Sequence, residues 1–487
     1  MLNLLRLIKD LLRLLNHFIF KRKINKTMSL ENYENYKNNR ENKDKSWQYL
    51  IRSFELDSSN SKIFLEIYNQ INSKYFNNKR DLLRIYLSNN FFDIKFLYKY
   101  CNLFLKKNNS LSNIKIEYLL IEKDKFDEEL INNSINWLIT CQKTSQDRGI
   151  CTGFDLINNK ITNSFPETTS YIIPTFIEFS KLEKNDNIYK ISVEMGDWIL
   201  DLIRNDGGLG EPYGFFKPYP RIFTTAQAIL GLLSLYDVSK QEKYITAATK
   251  LGKFLINNLN NDGSWNNDYT FLKKTTTYKT RVSWIMMLLY QYTKNHDFKI
   301  SSINNLKFIL LNETRSFWPL SCTFEKNNNA LTHLLGYHLV ALINFVNSNI
   351  VNDKILENEL INHVDYFYKK LNILLDKEQT LSAVINSEFK NIENYTCLTG
   401  NAQIMFFALL YEKNNELKNN LLSSKIYNII FNKQIKSKNK DINGAIAGSF
   451  PINGNYAPYM LPSWASKFFI DSLLLKNLKK INFTFLG

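Results

Sequence analysis

From Phe126 onward the chain alternates two kinds of apolar segment. One kind is apolar on most sides, as in SWIMMLLYQY (283–292) and NAQIMFFALLY (401–411). The other is striped, as in KISVEMGDWILDLI (190–203), where apolar residues recur at three- and four-residue steps. A striped helix buries one face, whereas a helix apolar all round must be enclosed. The pattern therefore predicts an inner and an outer layer of helices. Segments of the first kind begin at Thr168, Phe223, Thr277, Leu331, Cys397 and Ser463, each after a long loop, and these loops are as a group rich in Gly, Pro, Asp, Tyr and Trp. Striped partners follow over short connections, ending at Arg204, at Asn258 and before Asn312, spanning Glu357–Leu374, and ending near Lys433.

Phe126–Cys141 is a striped helix with no inner helix before it, and Ser463–Leu478 is an inner helix with no partner after it. Each satisfies the other only if the chain closes on itself. The expected fold is all-α, a six-hairpin (α/α)6 toroid over residues 122–487, with a repeat of roughly 54 to 66 residues. The stretch SFPETTSYIIPTFIEFS (164–180) sets the type. Thr168 or Thr169 is expected to cap its helix, Pro174 to fall within about the first turn, where a missing N–H costs least, and Glu167 to stand at the mouth beside unpaired backbone N–H groups.

Two segments precede the ring. Residues 1–27 form an amphipathic helix with Leu4, Leu5, Ile8, Leu11, Leu12, Leu15 and Ile19 on one stripe, interrupted by Arg6, Lys9, Asp10, Arg13 and His17. It is too charged to span a bilayer. It suits either the surface of an anionic membrane, through residues 1–26, or packing on its own protein. Residues 28–121 read as a polar linker and a small helical subdomain with no evident chemistry.

The net charge of +16 raises the question of anionic partners. Much of the lysine accompanies a general richness in Asn, Lys and Ile, and no Lys/Arg run is interleaved with aromatics, so no nucleic-acid partner is expected. The cysteines (Cys101, Cys141, Cys151, Cys322, Cys397) are odd in number and form no CxxC, which fits a reducing, cytoplasmic setting and neither a disulfide framework nor a zinc ribbon. His333 and His338 are five apart and do not share a helix face as a metal pair would. NDGGLG is a helix-end turn, not a phosphate-cradling loop. No metal and no cofactor is expected.

Chemistry is expected at the face bearing the N-termini of the inner helices, because the long loops gather there on a rigid scaffold. The first turns of those helices are polar where a core would be apolar: Glu167 and Tyr171, Gln227, Tyr278 and Arg281, His333 and Tyr337, Asn401 and Gln403, Trp464 and Lys467. A single such residue is ordinarily a cap or a satisfied buried group. A polar residue in the corresponding place on all six predicts a lined pocket. The candidate catalytic residues are Glu167, His333, Tyr337 and Arg281. Glu167 can pair with Asp155, Glu211 or Asp268 as acid and base. Alternatively, Tyr171, Tyr278 or Tyr337 acts with His333 while Arg281 neutralises a uronate. Tyr213, Phe215, Trp265 and Trp318 are candidates for stacking on sugar faces.

The loop signatures NDGGLGEP, NNDGSW and INGAIAGSFPI resemble those of the α/α-toroid superfamilies: six-hairpin glycosidases, polysaccharide lyases, terpene cyclases and protein prenyltransferases. QDRGICTGFD, FPETTSYIIPTF, YKTRVSW, LTHLLGY, CLTGNAQ and PSWASKFFID also resemble toroid proteins of bacterial polysaccharide-biosynthesis loci. The resemblance spans about Phe126 to Leu478. It implies a carbohydrate-active protein handling an acidic or surface polysaccharide, an oligosaccharide or a precursor, by hydrolase, lyase or epimerase chemistry. It also admits a non-catalytic glycan-binding or assembly protein, or a terpenoid-cyclase or prenyltransferase-like protein with an apolar cavity. Against the last stands the lack of an Asp-x-Asp-Asp cluster and of an Asp/Cys/His zinc set.

Overall fold

The computed structural model describes residues 116–118, 127–210, 220–270, 275–313, 318–319, 322–324, 328–477 and 483–487. The expectations for 1–27, for nearly all of 28–121, and for Glu211, Tyr213 and Phe215 lie outside the described residues. Twelve α-helices occur among the described residues: α1 Asp127–Ser145, α2 Pro166–Glu183, α3 Asp186–Leu202, α4 Ile222–Ser239, α5 Glu242–Ile256, α6 Thr280–Thr293, α7 His296–Asn312, α8 Thr332–Ser348, α9 Lys354–Glu378, α10 Leu398–Asn414, α11 Leu422–Ile430 and α12 Ser463–Asn477. The even-numbered helices pack side by side in the order α2, α4, α6, α8, α10, α12 and back to α2. The odd-numbered helices lie outside them, and α1 packs on α12. The ring closes as the unmatched first and last helices require.

A repeated glycine turn marks the same closure locally. Gly207, Gly263 and Gly444 sit at φ of +86°, +86° and +85°, where a side chain is strained. A Cβ there would come within 2.8 Å of the Lys250 carbonyl on α5, 2.5 Å of the Asn304 carbonyl on α7, and 2.2 Å of the Asn133 carbonyl on α1. Each turn therefore docks on the outer helix that follows in the ring. The last of them finds that helix at the beginning of the chain, where Ser134 Oγ donates to the Gly444 carbonyl at 2.9 Å.

The sequence places the inner helices within three residues of their observed starts, with one correction of detail. The helix α2 begins at Pro166, not at Thr168 or Thr169. Its N-cap is Phe165, without a side-chain cap, and the Thr169 hydroxyl turns back to the Phe165 carbonyl at 2.8 Å. Pro174 consequently lies in the helix interior, where it cannot donate to the Ser170 carbonyl. That carbonyl lies against Gly231 of α4, 2.4 Å from where a Cβ would stand. The outer helices α3, α7 and α9 start on side-chain caps, Asn185, Asn295 and Asp353. The inner helices α2, α4, α6 and α8 have none.

Short antiparallel ladders lace the loops around the mouth. β2 (Gly153–Asp155) pairs with β3 (Lys160–Ile161) and with β9 (Met460–Pro462), joining the loops before α2 and α12. β4 (Ala330–Leu331) pairs with β5 (Val384–Ile385), and β6 (Thr396–Cys397) with β8 (Ser449–Phe450). Away from these, β1 (Glu117–Tyr118) pairs with β7 (Ile435–Lys436). At the other end of the ring, residues 483–487 enter the axis. Phe485 and Leu486 are buried, Phe485 packs near Tyr292 of α6, and the Gly487 N–H donates to Asp471 Oδ2 of α12 at 2.8 Å. Among the described residues only α4 is long and apolar enough to cross a membrane, and it is an enclosed wall of the ring.

Candidate functional site

The inner helices surround a cavity of about 480 Å³ that opens among the laced loops, a size usual for small-ligand sites. Its wall carries charged residues on one side and aromatic rings on the other. Glu167 of α2 is half-buried and accepts a hydrogen bond from Thr224 Oγ1 of α4 at 3.0 Å. Three residues at the N-cap positions of inner helices also line the cavity: Phe165, Arg221 and Lys279. None of them caps its helix with a side chain, so the first-turn N–H groups bring their positive partial charge to this end. Arg221 also ties two loops together through Thr270 O at 3.3 Å.

The aromatic side is built on α8 and the loop before α12. His333 packs against Tyr337 at 4.7 Å and Tyr456 at 5.3 Å between ring centroids. Trp464 Nε1 donates to the Tyr456 hydroxyl at 2.9 Å. Phe223 meets Tyr278 and Tyr337 edge-on at 5.1 and 5.0 Å. His333 Nδ1 lies 2.8 Å from Gln403 Oε1. An amide oxygen only accepts, so Nδ1 holds the proton and Nε2 the lone pair. Burial pushes the His333 pKa down to about 4, with Arg281 acting in the same direction and Gln403 opposing. At neutral pH the ring is an uncharged imidazole. Burial pushes the phenols of Tyr171, Tyr337 and Tyr456 well above their usual range, and Glu167 adds to the rise for the first two. These phenols are proton-bearing donors.

Beneath the cavity wall lies a layer of buried polar groups. Arg281 Nε donates to Gln227 Oε1 at 3.0 Å, and its guanidinium also reaches the Gly487 carbonyl. The guanidinium lies 5.3 Å from the centroid of Tyr337. Lys467 pairs with Asp471 at 2.6 Å, and Asp471 also accepts from Thr175 Oγ1 at 2.7 Å. Burial, with Arg281, lowers the Lys467 pKa to about 8 against the pull of Asp471. Two buried cations, Arg281 and Lys467, thus face one buried carboxylate, Asp471, with Glu167 the further carboxylate that acts on Arg281.

Of the residues singled out in the sequence, Glu167, Tyr171, Tyr278, His333, Tyr337 and Trp464 line the cavity. Gln227, Arg281, Gln403 and Lys467 lie behind the wall, and Asn401 is spent on the Leu381 and Cys397 carbonyls at 3.2 and 3.0 Å. Asp155 is not brought to Glu167. Its carboxylate organises its own turn, accepting from the Ile157 and Asn158 N–H groups at 2.9 and 3.0 Å. Asp268 is exposed. Trp265 is buried, and Trp318 donates to the Asn328 carbonyl at 2.6 Å; neither lines the cavity. Arg221, Lys279, Phe223, Thr224 and Tyr456 were missed. The first two had a legible signal, since each is a cation standing directly before a near-continuous apolar helix.

No family model matches the sequence, and no curated protein matches it. Solved structures do. A D-mannose isomerase superposes with a TM-score of 0.57 at 12% identity, over 74% of this chain and 100% of that one. A cellobiose 2-epimerase from Bacillus thermoamylovorans B4167 gives 0.56 at 13%, over 73% and 100%. An unsaturated glucuronyl hydrolase specific for heparin gives 0.56 at 9%, over 72% and 97%. At such identities the likeness is one of fold. The closed ring of alternating helices and these superpositions together make the chain a six-hairpin α/α toroid.

Proposed function

We propose that the cavity receives an acidic sugar, the end of an oligosaccharide or polysaccharide, and moves a proton on it by epimerase- or lyase-type chemistry. The observation that carries this reading is the wall itself: Glu167 is its one carboxylate among the described residues, set beside a neutral His333 and the phenols of Tyr171, Tyr337 and Tyr456. Hydrolysis of a glycosidic bond ordinarily takes two carboxylates roughly 5 to 9.5 Å apart; among the described residues neither Asp155 nor Asp268 lines the cavity with Glu167, and Glu211 lies outside them. Arg221 and Lys279 supply positive charge for a uronate. The structural neighbours, an isomerase, an epimerase and a glucuronyl hydrolase, support a carbohydrate. The charged groups in the wall weigh against a cyclising lipid.

In this reading Glu167 accepts the proton, a phenol returns one, and the aromatic rings hold the sugar faces. Arg281 acts from behind Tyr337. The test is turnover and calorimetric binding with a panel of uronic-acid and neutral oligosaccharides, for the native chain and Glu167→Gln. The expected result is a preference for the acidic panel and a loss of turnover of about 10²-fold or more in the variant, with its melting temperature nearly unchanged. A ligand bound equally by both proteins with no turnover by either would favour a glycan-binding protein. A lowered melting temperature with unchanged activity would reduce Glu167 to a structural residue.

A further inference from the structure

A second cluster of ionisable residues lies away from the cavity wall. Glu313, the residue after α7, places its carboxylate between two histidines: His338 Nε2 of α8 is 3.1 Å from Oε1, and His363 Nε2 of α9 is 2.7 Å from Oε2. All three side chains are 0–2% exposed. The other ring nitrogen of each histidine is already committed. His363 Nδ1 lies 2.8 Å from the Glu359 carbonyl, which only accepts. His338 Nδ1 lies 2.9 Å from Thr280 Oγ1, whose own proton goes to the Thr277 carbonyl at 2.5 Å. Both Nδ1 atoms are therefore donors. A neutral ring would then turn the lone pair of Nε2 toward a buried carboxylate, which is repulsive. The close approach of His363 is attractive only when that ring carries a second proton.

The cluster sits at the foot of the connection between α7 and α8. Phe367 lies 6.4 Å from the His338 ring, Phe389 lies 5.7 Å from Phe367, and Trp318 lies 5.6 Å from Phe389. Trp318 is joined in turn to the Asn328 carbonyl. Phe324 of the same connection lines the cavity.

We propose that the Glu313–His363 ion pair is a proton-operated anchor: with His363 charged it fixes the C-terminal end of α7 against α8 and α9, and loss of that proton releases it. Burial alone would raise the Glu313 pKa, but the two imidazoles overcome it and the net shift is downward. Burial alone would lower the His363 pKa, but Glu313 and the Glu359 carbonyl and carboxylate overcome it and the net shift is upward. Glu313, His338 and Glu359 are the ionisable groups of the described residues that face His363 or its partner. The sign follows. The His363 contribution is complete below its unfolded value of about 6.5 and is lost as pH rises through the raised folded value. The Glu313 contribution is complete above about 4.5 and is lost as pH falls through the lowered one. The anchor is tightest between these limits and releases on the alkaline side.

The anchor stands apart from the carbohydrate reading and is tested without a sugar. Hydrogen exchange of the full chain is followed from pH 5.5 to 9 as protection factors for peptides covering the last turns of α7 and Glu313, 305–313, with Trp318 fluorescence alongside and Trp318→Phe to identify that signal. Protection should fall with a one-proton transition, about tenfold for each pH unit by which the folded His363 pKa exceeds the unfolded one, while peptides of α2 and α4 hold steady. In His363→Gln the transition should vanish. Should that variant fail to fold, the ring C–H resonances of His363 in the native protein give the same titration. Protection independent of pH would overturn the proposal. So would a metal ion bound stoichiometrically in the purified protein, since the cluster would then hold that ion rather than a proton.

Discussion

His333 and His338 are five residues apart on α8 and open onto two different electrostatic worlds. Toward the cavity, His333 meets an amide, Gln403, with Arg281 nearby, and is held neutral with a pKa of about 4. On the other side, His338 and His363 meet a carboxylate, Glu313, and the pKa of His363 moves upward. All three imidazoles are buried, so burial does not distinguish the two sites. The partner does: at His363 the carboxylate outweighs the cost of desolvating an imidazolium, and at His333 the amide does not. One side of the helix is thereby suited to exchanging protons with a ligand, the other to holding a charge in place.

The comparison is broken most forcefully at Glu313. Glu313→Ala removes the anion and leaves His363, charged at pH 6, buried without its partner. A buried pair broken in this way typically costs about 3–5 kcal/mol. Urea denaturation at pH 6 should register that loss, and the deficit should be smaller at pH 9, the direction in which the native His363 gives up its proton. An equal deficit at both pH values would mean that packing, not charge, is what Glu313 supplies.

His333 gives the next largest effect and the opposite pH sense. Its folded pKa of about 4 lies below the unfolded value of 6.5, so between those values the unfolded chain binds the additional proton. Stability should fall as pH drops from 6.5 toward 4, by about 3 kcal/mol if the whole difference is realised. His333→Gln should flatten that acid limb and leave the alkaline limb, which belongs to His363. An acid limb unchanged in His333→Gln would assign it to carboxylates elsewhere.

The fold was legible because the ring repeats a local signal, an enclosed helix, a short turn and a striped helix, followed in three of the repeats by a glycine turn, NDGG, NDGS or INGA. The closure was legible from one unmatched helix at each end. The site was legible only where a residue sits in the first two helical turns and lines the cavity, as Glu167, Tyr171, His333 and Tyr337 do. Periodicity cannot separate a polar residue at the wall from one that turns away from it within the same two turns, so Gln227, Arg281 and Lys467 read alike with Glu167 although they lie behind it. Nor can local pattern foresee a contact across hundreds of residues, and the placing of Gly487 between Arg281 and Asp471 changed the surroundings of both. The carboxylate of Asp155 was misread for a similar reason, its turn being closed by its own backbone.

The mildest change in stability, and the sharpest test of the comparison, comes from exchanging the partner. Gln403→Glu is nearly isosteric and puts a carboxylate against His333 Nδ1 in place of the amide oxygen at 2.8 Å. An opposite charge within about 4–6 Å raises a histidine pKa by roughly 1–3 units, so His333 should titrate well above its native value of about 4. Net stability near pH 6 should change little, because the gain in attraction is set against the cost of desolvating two charges. The proton would remain on Nδ1, now shared with a carboxylate, and Nε2 would gain one on the cavity side. Chemistry that uses the Nε2 lone pair should then fail below the new His333 value and recover as pH rises through it. Chemistry that uses a proton at Nε2 should show the reverse. If histidine ring resonances place His333 still near 4 in Gln403→Glu, the nature of the partner does not set its charge, and the contrast between the two sides of α8 must come from burial or from Arg281.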